Sequence, residues 1–314
     1  MFMEEKIVVG SAFPLNGLLT IPEGGDGPYP AVVLVHGSGP SDMNEKVYNV
    51  KPFQDIAEGL AGHKIASIRY DKRTFVYPQE MAEMKDITVK EETIEDAILA
   101  TDILRSDPRI DPNRIFIVGH SMGGMLAPRI DEEGGNYAGL AILAGTPRRL
   151  EEVMKTQAED FIKTAPFFLK WIVKRQAKKL HAKFENIYDM SDEEAKKTPI
   201  LGKHIMAIYL KDMGKREVRD YLEASTTPVL VLHGEGDFQV TVERDFEVYQ
   251  DILKNHPNAT FKLYPGLNHM FMPVVYGEIK KAKKEYSRPQ HVADYVIADL
   301  AAWINQTAPT ADTP

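Results

Sequence analysis

Short apolar runs alternate with amphipathic stretches along most of the chain. Lys6 to Ser11 and Leu15 to Ile21 read as two strands around Pro14, Asn16 and Gly17, an antiparallel opening. Ala31 to Val35 is a continuous apolar run of the kind that fills a strand buried on both faces. Lys64 to Tyr70, Arg114 to Val118, Gly139 to Ala144, Pro228 to His233 and Thr260 to Tyr264 carry the same β-type signal. Between them, Phe53 to Gly62, Glu91 to Arg105, Met122 to Ile130, Glu243 to Lys254 and His291 to Asn305 read as helices. Pro128, inside the third of these, predicts a kink or an early stop. The alternation predicts an α/β protein with a largely parallel sheet.

The pattern changes at residue 148. From 148 to 227 no β-type run appears and helix formers dominate, so this stretch reads as a helical insertion that divides one core into residues 1–147 and 228–306, with 307–314 as a frayed tail. The insertion holds 17 Lys and Arg against 13 Asp and Glu, which is +4, while the remainder of the chain carries −12. Lys170, Lys174 and Lys178 recur every four residues, and Arg175 and Lys179 widen the stripe on one helical face. Such a stripe is a solvated face, a steering patch for anionic substrates, or a helix that lies on a membrane surface.

The overall charge of −8 disfavours nucleic-acid binding, and neither a basic tail nor a zinc-type cluster is present. With no cysteine, disulfides, thiolate metal sites and a cysteine nucleophile are excluded. The first residues lack the apolar core of a signal peptide, and no uncharged apolar stretch reaches 18 residues. These features predict a cytoplasmic protein without stable membrane insertion. They leave the oligomeric state open.

The chemistry gathers at the ends of the strands. Gly119-His120-Ser121-Met122-Gly123 follows the Arg114 to Val118 run and precedes a helix, a glycine-framed turn that lifts a serine hydroxyl out of a strand end. Asp237 follows the Pro228 to His233 run, and His269 follows the Thr260 to Tyr264 run. Parallel strands that end at one sheet edge would bring the three loops together. There His269 would take the Ser121 proton, and Asp237 would hold the imidazole tautomer. Glu151 is the fallback acid. The backbone N–H groups of Ser38, in His36-Gly37-Ser38-Gly39-Pro40, and of Met122 are the candidate oxyanion donors. His36, His120 and His233 read as hydrogen-bonded structural histidines, and Asp71 with Arg73 as an ion pair that fixes a loop. The pocket candidates are Phe167, Phe168 and Trp171 in the insertion, with Met270, Phe271 and Met272 after the histidine. No dinucleotide or Walker glycine motif occurs, and the chemistry calls for no metal or cofactor.

These pieces, together with Arg69-Tyr-Asp-Lys-Arg73, Met125-Leu-Ala-Pro-Arg-Ile130 and Gly266-Leu-Asn-His269, resemble the α/β-hydrolases. More narrowly, they are similar to bacterial serine carboxylesterases near the feruloyl (cinnamoyl) esterase and serine-aminopeptidase-like group. The resemblance implies an eight-stranded, mostly parallel sheet with a helical cap inserted after the sixth strand. It also implies two-step acyl transfer from a small-molecule ester, and the apolar and aromatic pocket candidates point to an apolar or aromatic acyl group. Where the family's loop continues with glycine after Arg73, this chain has Thr74-Phe-Val-Tyr. Thioester or aminoacyl amide cleavage, and ligand binding without turnover, are the competing readings.

Overall fold

The computed structural model describes residues 1–25, 27–164, 166–201 and 205–308. Eight strands form one sheet: β1 (Phe2–Val9), β2 (Leu15–Pro22), β3 (Tyr29–Val35), β4 (Ala66–Tyr70), β5 (Ile110–His120), β6 (Gly139–Leu143), β7 (Val229–Gly234) and β8 (Ala259–Tyr264). Their spatial order is β1-β2-β4-β3-β5-β6-β7-β8. Only β2 runs against its neighbours β1 and β4; from β4 to β8 every pairing is parallel.

Parallel strands need crossovers, and the helices that supply them cover both faces. They are α1 (Pro52–Gly62), α2 (Glu95–Ser106), α3 (Met122–Ile130), helices of the 148–227 segment given below, and Glu247–Ile252 between β7 and β8, while α8 (Asp294–Gln306) follows the last strand and packs on the same face as α1. The period of two along β5 divides its side chains between two cores. Ile115 and Ile117 face Ala97, Ala100 and Leu104 of α2 with Leu126 and Ile130 of α3. Phe116 and Val118 face Phe53, Ala57 and Leu60 of α1 with Val296, Leu300 and Ile304 of α8.

Between β6 and β7 lie α4 (Leu150–Thr164), α5 (Phe167–Phe184), α6 (Ala207–Met213) and α7 (Val218–Ala224). The expectation of an all-helical stretch needs correction, because Pro199–Leu201 pairs antiparallel with Ile205–Met206. Each strand is too short to leave a periodic signal. Thr74 to Lys90 is likewise less irregular than its polar composition predicts, since Arg73–Val76 and Pro78–Glu83 are helical turns. Pro128 does not stop α3, which continues to Ile130. Met122, Met125, Leu126 and Ile130 are all buried there. At roughly 1.5–3 kcal/mol each, their burial outweighs a proline penalty of about 3 kcal/mol. Thr307 and Ala308 follow α8, and the rest of the expected frayed tail, 309–314, lies outside the described residues.

Candidate active site

Ser121 stands between the end of β5 and the start of α3 with φ 53° and ψ −115°, backbone that an L-residue adopts only under strain. Its N–H donates to the Leu143 carbonyl of β6 at 2.8 Å, which ties the turn to the sheet edge. The flanking glycines are a steric necessity. A Cβ on Gly119 would lie 2.3 Å from the Gly123 carbonyl oxygen, and one on Gly123 would lie 2.1 Å from that of Val35 in β3. The hydroxyl is therefore carried on a turn whose backbone touches two strands.

The loops after β7 and β8 bring Asp237 and His269 together. His269 Nδ1 lies 2.6 Å from Asp237 Oδ2, and both residues are buried. The other carboxylate oxygen, Oδ1, accepts the N–H groups of Gln239 (2.7 Å) and Val240 (3.0 Å). Burial pushes the Asp237 carboxyl up, but the His269 imidazole and the Val240 N–H outweigh it and hold the group below its ordinary value. An ionised Asp237 places the imidazole proton on Nδ1 and leaves the Nε2 lone pair available. Such a pair can receive a hydroxyl proton and stabilise the imidazolium that results.

His120, next to Ser121, packs against His269 with ring centroids 4.7 Å apart and planes inclined at 55°, and bonds through Nε2 to the His269 carbonyl oxygen at 3.0 Å. On its far side Nδ1 lies 3.0 Å from the buried Glu45 carboxylate. Burial pulls the His120 pKa down, yet Glu45 raises it further, so the net shift is upward. His36 is different. It is packed against Phe53 and Tyr70, bonds to the Asp42 carbonyl at 3.0 Å, and burial lowers its pKa to about 4. His233 bonds to the Val240 carbonyl at 3.1 Å and is also shifted down by burial.

His36 gives a pH signature. The unfolded imidazole protonates near 6.5 while the folded one resists until about 4, so stability is whole above 6.5 and is lost as pH falls towards 4. At about 1.4 kcal/mol per pH unit this is a loss of about 3 kcal/mol across that window. His36→Gln keeps a donor for Asp42 and cannot protonate. Unfolding free energies measured from pH 7 to 4 should fall less steeply in the variant; parallel curves would assign the acid sensitivity elsewhere.

The loop after β3 is gripped from both sides. Gly37 N–H donates to Glu45 Oε1 at 2.7 Å, and the Gly37 carbonyl accepts from Lys72 Nζ at 3.0 Å. In a trans peptide the C=O and the next N–H point in opposite directions, so Lys72 also orients the Ser38 N–H. Lys72 is buried against Glu92 at 2.8 Å, and Glu92 accepts the hydroxyl of Tyr209 from α6. Burial, with Glu92 adding to it, raises the Tyr209 pKa far above its ordinary value and keeps it a neutral donor. Sequence reading missed Glu45, Lys72, Glu92 and Tyr209. Charged residues in a chain that is 27% charged carry no mark of burial.

A cavity of about 440 Å³ opens beside this loop. Ser38 and Met122 line it together with Met81, Ala82, Ile87 and Leu150, and Glu92 and Tyr209 supply its polar wall. None of the six expected pocket residues lines it, which corrects that expectation. Phe167, Phe168 and Trp171 are 87%, 67% and 68% exposed on α5. Met270, Phe271 and Met272 turn into the core beside α1 and α8, because Asn268 Oδ1 accepts the N–H groups of Met270 and Met272 and curls the loop inward. Much of the wall comes instead from Thr74, Pro78, Met81, Ala82 and Ile87, in and just after the Thr74-Phe-Val-Tyr stretch.

One smaller expectation also changes. Asp71 and Arg73 are not paired with each other. Asp71 accepts the Met43 N–H at 2.8 Å, while Arg73 is held by Asp96 at 2.5 Å and Glu95 at 3.3 Å. A sequence motif cannot show that α2 runs alongside and offers Arg73 better-placed carboxylates. Glu151 accepts from Tyr188 at 2.5 Å, and the carboxylate that meets His269 is Asp237.

An eight-stranded, mostly parallel sheet with a serine elbow after β5 and acid and histidine loops after β7 and β8 defines an α/β-hydrolase. A family model described as serine aminopeptidase, S33, matches residues 27–273, and the chain belongs to that family. It is 36% identical over 304 residues to Esterase EstD of Thermotoga maritima, covering 96% of this chain and 67% of the relative. Among solved structures it is similar to a Pyrococcus furiosus esterase, with a TM-score of 0.57, 15% identity, and coverage of 98% of this chain and 91% of the other. It is also similar to Est1E from Butyrivibrio proteoclasticus, with a TM-score of 0.54, 16% identity, and coverage of 94% and 99%. At such identities these structures speak for the fold alone.

Proposed function

We propose that this protein is a serine carboxylesterase in which Ser121, His269 and Asp237 carry out acyl transfer. The observation that carries the reading is the strained Ser121 backbone at the edge where Asp237 holds His269 at 2.6 Å. Ser121 Oγ attacks the ester carbonyl as its proton passes to His269 Nε2. The tetrahedral oxyanion is met by the N–H groups of Ser38 and Met122. The C–O bond breaks, His269 gives its proton to the departing alkoxide, and an acyl-serine remains. Water then loses a proton to His269 as it attacks the acyl carbon, and His269 returns that proton to Ser121 Oγ when the acid leaves. Asp237 keeps its charge throughout and stabilises the imidazolium. Ester hydrolysis as the class of reaction is supported by the 36% identity to an esterase over nearly the whole chain.

The 148–227 segment acts as a cap in this reading, since Leu150, Ile205 and Tyr209 from it line the cavity with residues of the core. The apolar walls favour an unbranched or aromatic acyl group of modest size. Ala82→Trp would fill the cavity and should cut kcat/KM for p-nitrophenyl octanoate by about tenfold or more relative to the acetate. An equal loss on both esters would place the acyl group elsewhere. The basic stripe of α5 does not line the cavity, so it lends no support to an anionic thioester. Rates on paired oxygen esters, thioesters and aminoacyl amides test the preference directly.

A further inference from the structure

Helix α5 has the opposite of an ordinary solvent face. Its inward side, with Val173, Ala177, Leu180 and Phe184, is buried or half-buried within the segment. Its outward side begins with Phe167, Phe168, Trp171 and Ile172, the last 44% exposed, and continues with the exposed cations Lys174, Arg175, Lys178 and Lys179. The helix contains six Lys and Arg and no Asp or Glu. None of these four cations pairs with a carboxylate among the described residues. On the adjoining α4, Asp160 is already held by Lys163 (2.8 Å) and Arg244 (2.6 Å). The Arg175 guanidinium lies 5.8 Å from the centre of the Trp171 ring, which joins the apolar end to the cationic one.

We propose that the outward face of α5 docks onto an anionic lipid surface. Aromatic side chains exposed beside a row of cations suit a bilayer interface, where the rings enter the acyl boundary and the long basic side chains reach the headgroups. Charge selects this face and this partner. The chain outside the 148–227 segment carries −12 and is repelled by anionic lipid, whereas α5 carries only positive charge. A second copy of the chain fits less well, because a two-fold contact through α5 would set like charges against each other. The docking is peripheral, since no helix among the described residues is long and apolar enough to cross a membrane.

The two tryptophans make the test direct. Trp303 packs against the core beside Phe116, so Trp303→Phe leaves Trp171 as the reporter. Vesicles of phosphatidylcholine with about one third phosphatidylglycerol should shift its emission to the blue and co-sediment the protein. Neutral phosphatidylcholine vesicles, or about 1 M salt, should reduce binding about tenfold or more. Phe167→Ser with Trp171→Ser, and separately Lys174→Glu with Lys178→Glu, should each abolish sedimentation. Hydrolysis of soluble p-nitrophenyl butyrate by the same variants shows that they are folded and reads the esterase assignment independently of lipid binding. Absence of binding, equal binding to neutral vesicles, or a doubled particle mass without lipid that the serine variant abolishes would each overturn the proposal.

Discussion

Ser121→Ala should lower kcat on p-nitrophenyl butyrate by about 10⁶-fold, the loss seen when a triad nucleophile is removed. Only Oγ is deleted. The alanine keeps the N–H that donates to Leu143, and the glycines on either side still let the turn pass between β3 and α3. The strained backbone is retained, so the melting temperature should stay close to that of the wild type. The oxyanion donors also remain, which leaves rate enhancement of about 10³–10⁴ over water as the floor. Turnover equal to the wild type would show that Ser121 is not the nucleophile. An inactive wild type that binds ligand as tightly as the alanine variant would favour a receptor on this fold.

Asp237→Asn is the more discriminating substitution, with an expected loss of about 10⁴-fold in kcat at neutral pH. The carboxylate has two tasks on two sides. Oδ1 accepts from Gln239 and Val240, and Oδ2 faces His269 Nδ1. An asparagine has one oxygen and one NH₂ group. The oxygen must stay with the two backbone donors, because an NH₂ there would oppose them. The NH₂ then faces Nδ1, which is forced to accept, and the imidazole proton moves to Nε2. In that tautomer the histidine cannot take the serine proton. Steady-state kinetics with thermal melts check this: a large fall in kcat with the fold intact supports the assignment, and a loss under about tenfold would make Asp237 a turn-shaping residue.

Much of this was legible before the fold was known, for a physical reason. A strand buried on both faces needs an unbroken apolar run, and Ala31 to Val35 or Gly139 to Leu143 can serve as little else. The elbow was legible because two glycines are sterically compelled at fixed distances from Ser121. The order of the strand-end loops then offered Asp237 and His269. The element ends were less readable: β1 begins at Phe2 where the pattern suggests Lys6, and α8 begins at Asp294 where it suggests His291.

The cavity wall was not legible, because it is built from segments that meet only in three dimensions. Composition could not reveal that Lys72, Glu92 and Tyr209 join the loop beside Ser38 to α6, since each is polar and unremarkable in its own neighbourhood. Nor could aromatic content show that Phe167, Phe168 and Trp171 face outward while Met270, Phe271 and Met272 turn inward. That choice is made by which neighbour occupies the other side of each backbone. By itself the sequence determined the sheet, the elbow and the chemical types at the strand ends, because these depend on local sterics and burial period. Tertiary structure alone decided which polar groups are desolvated and paired, and which apolar groups remain exposed, because both depend on contacts between distant segments.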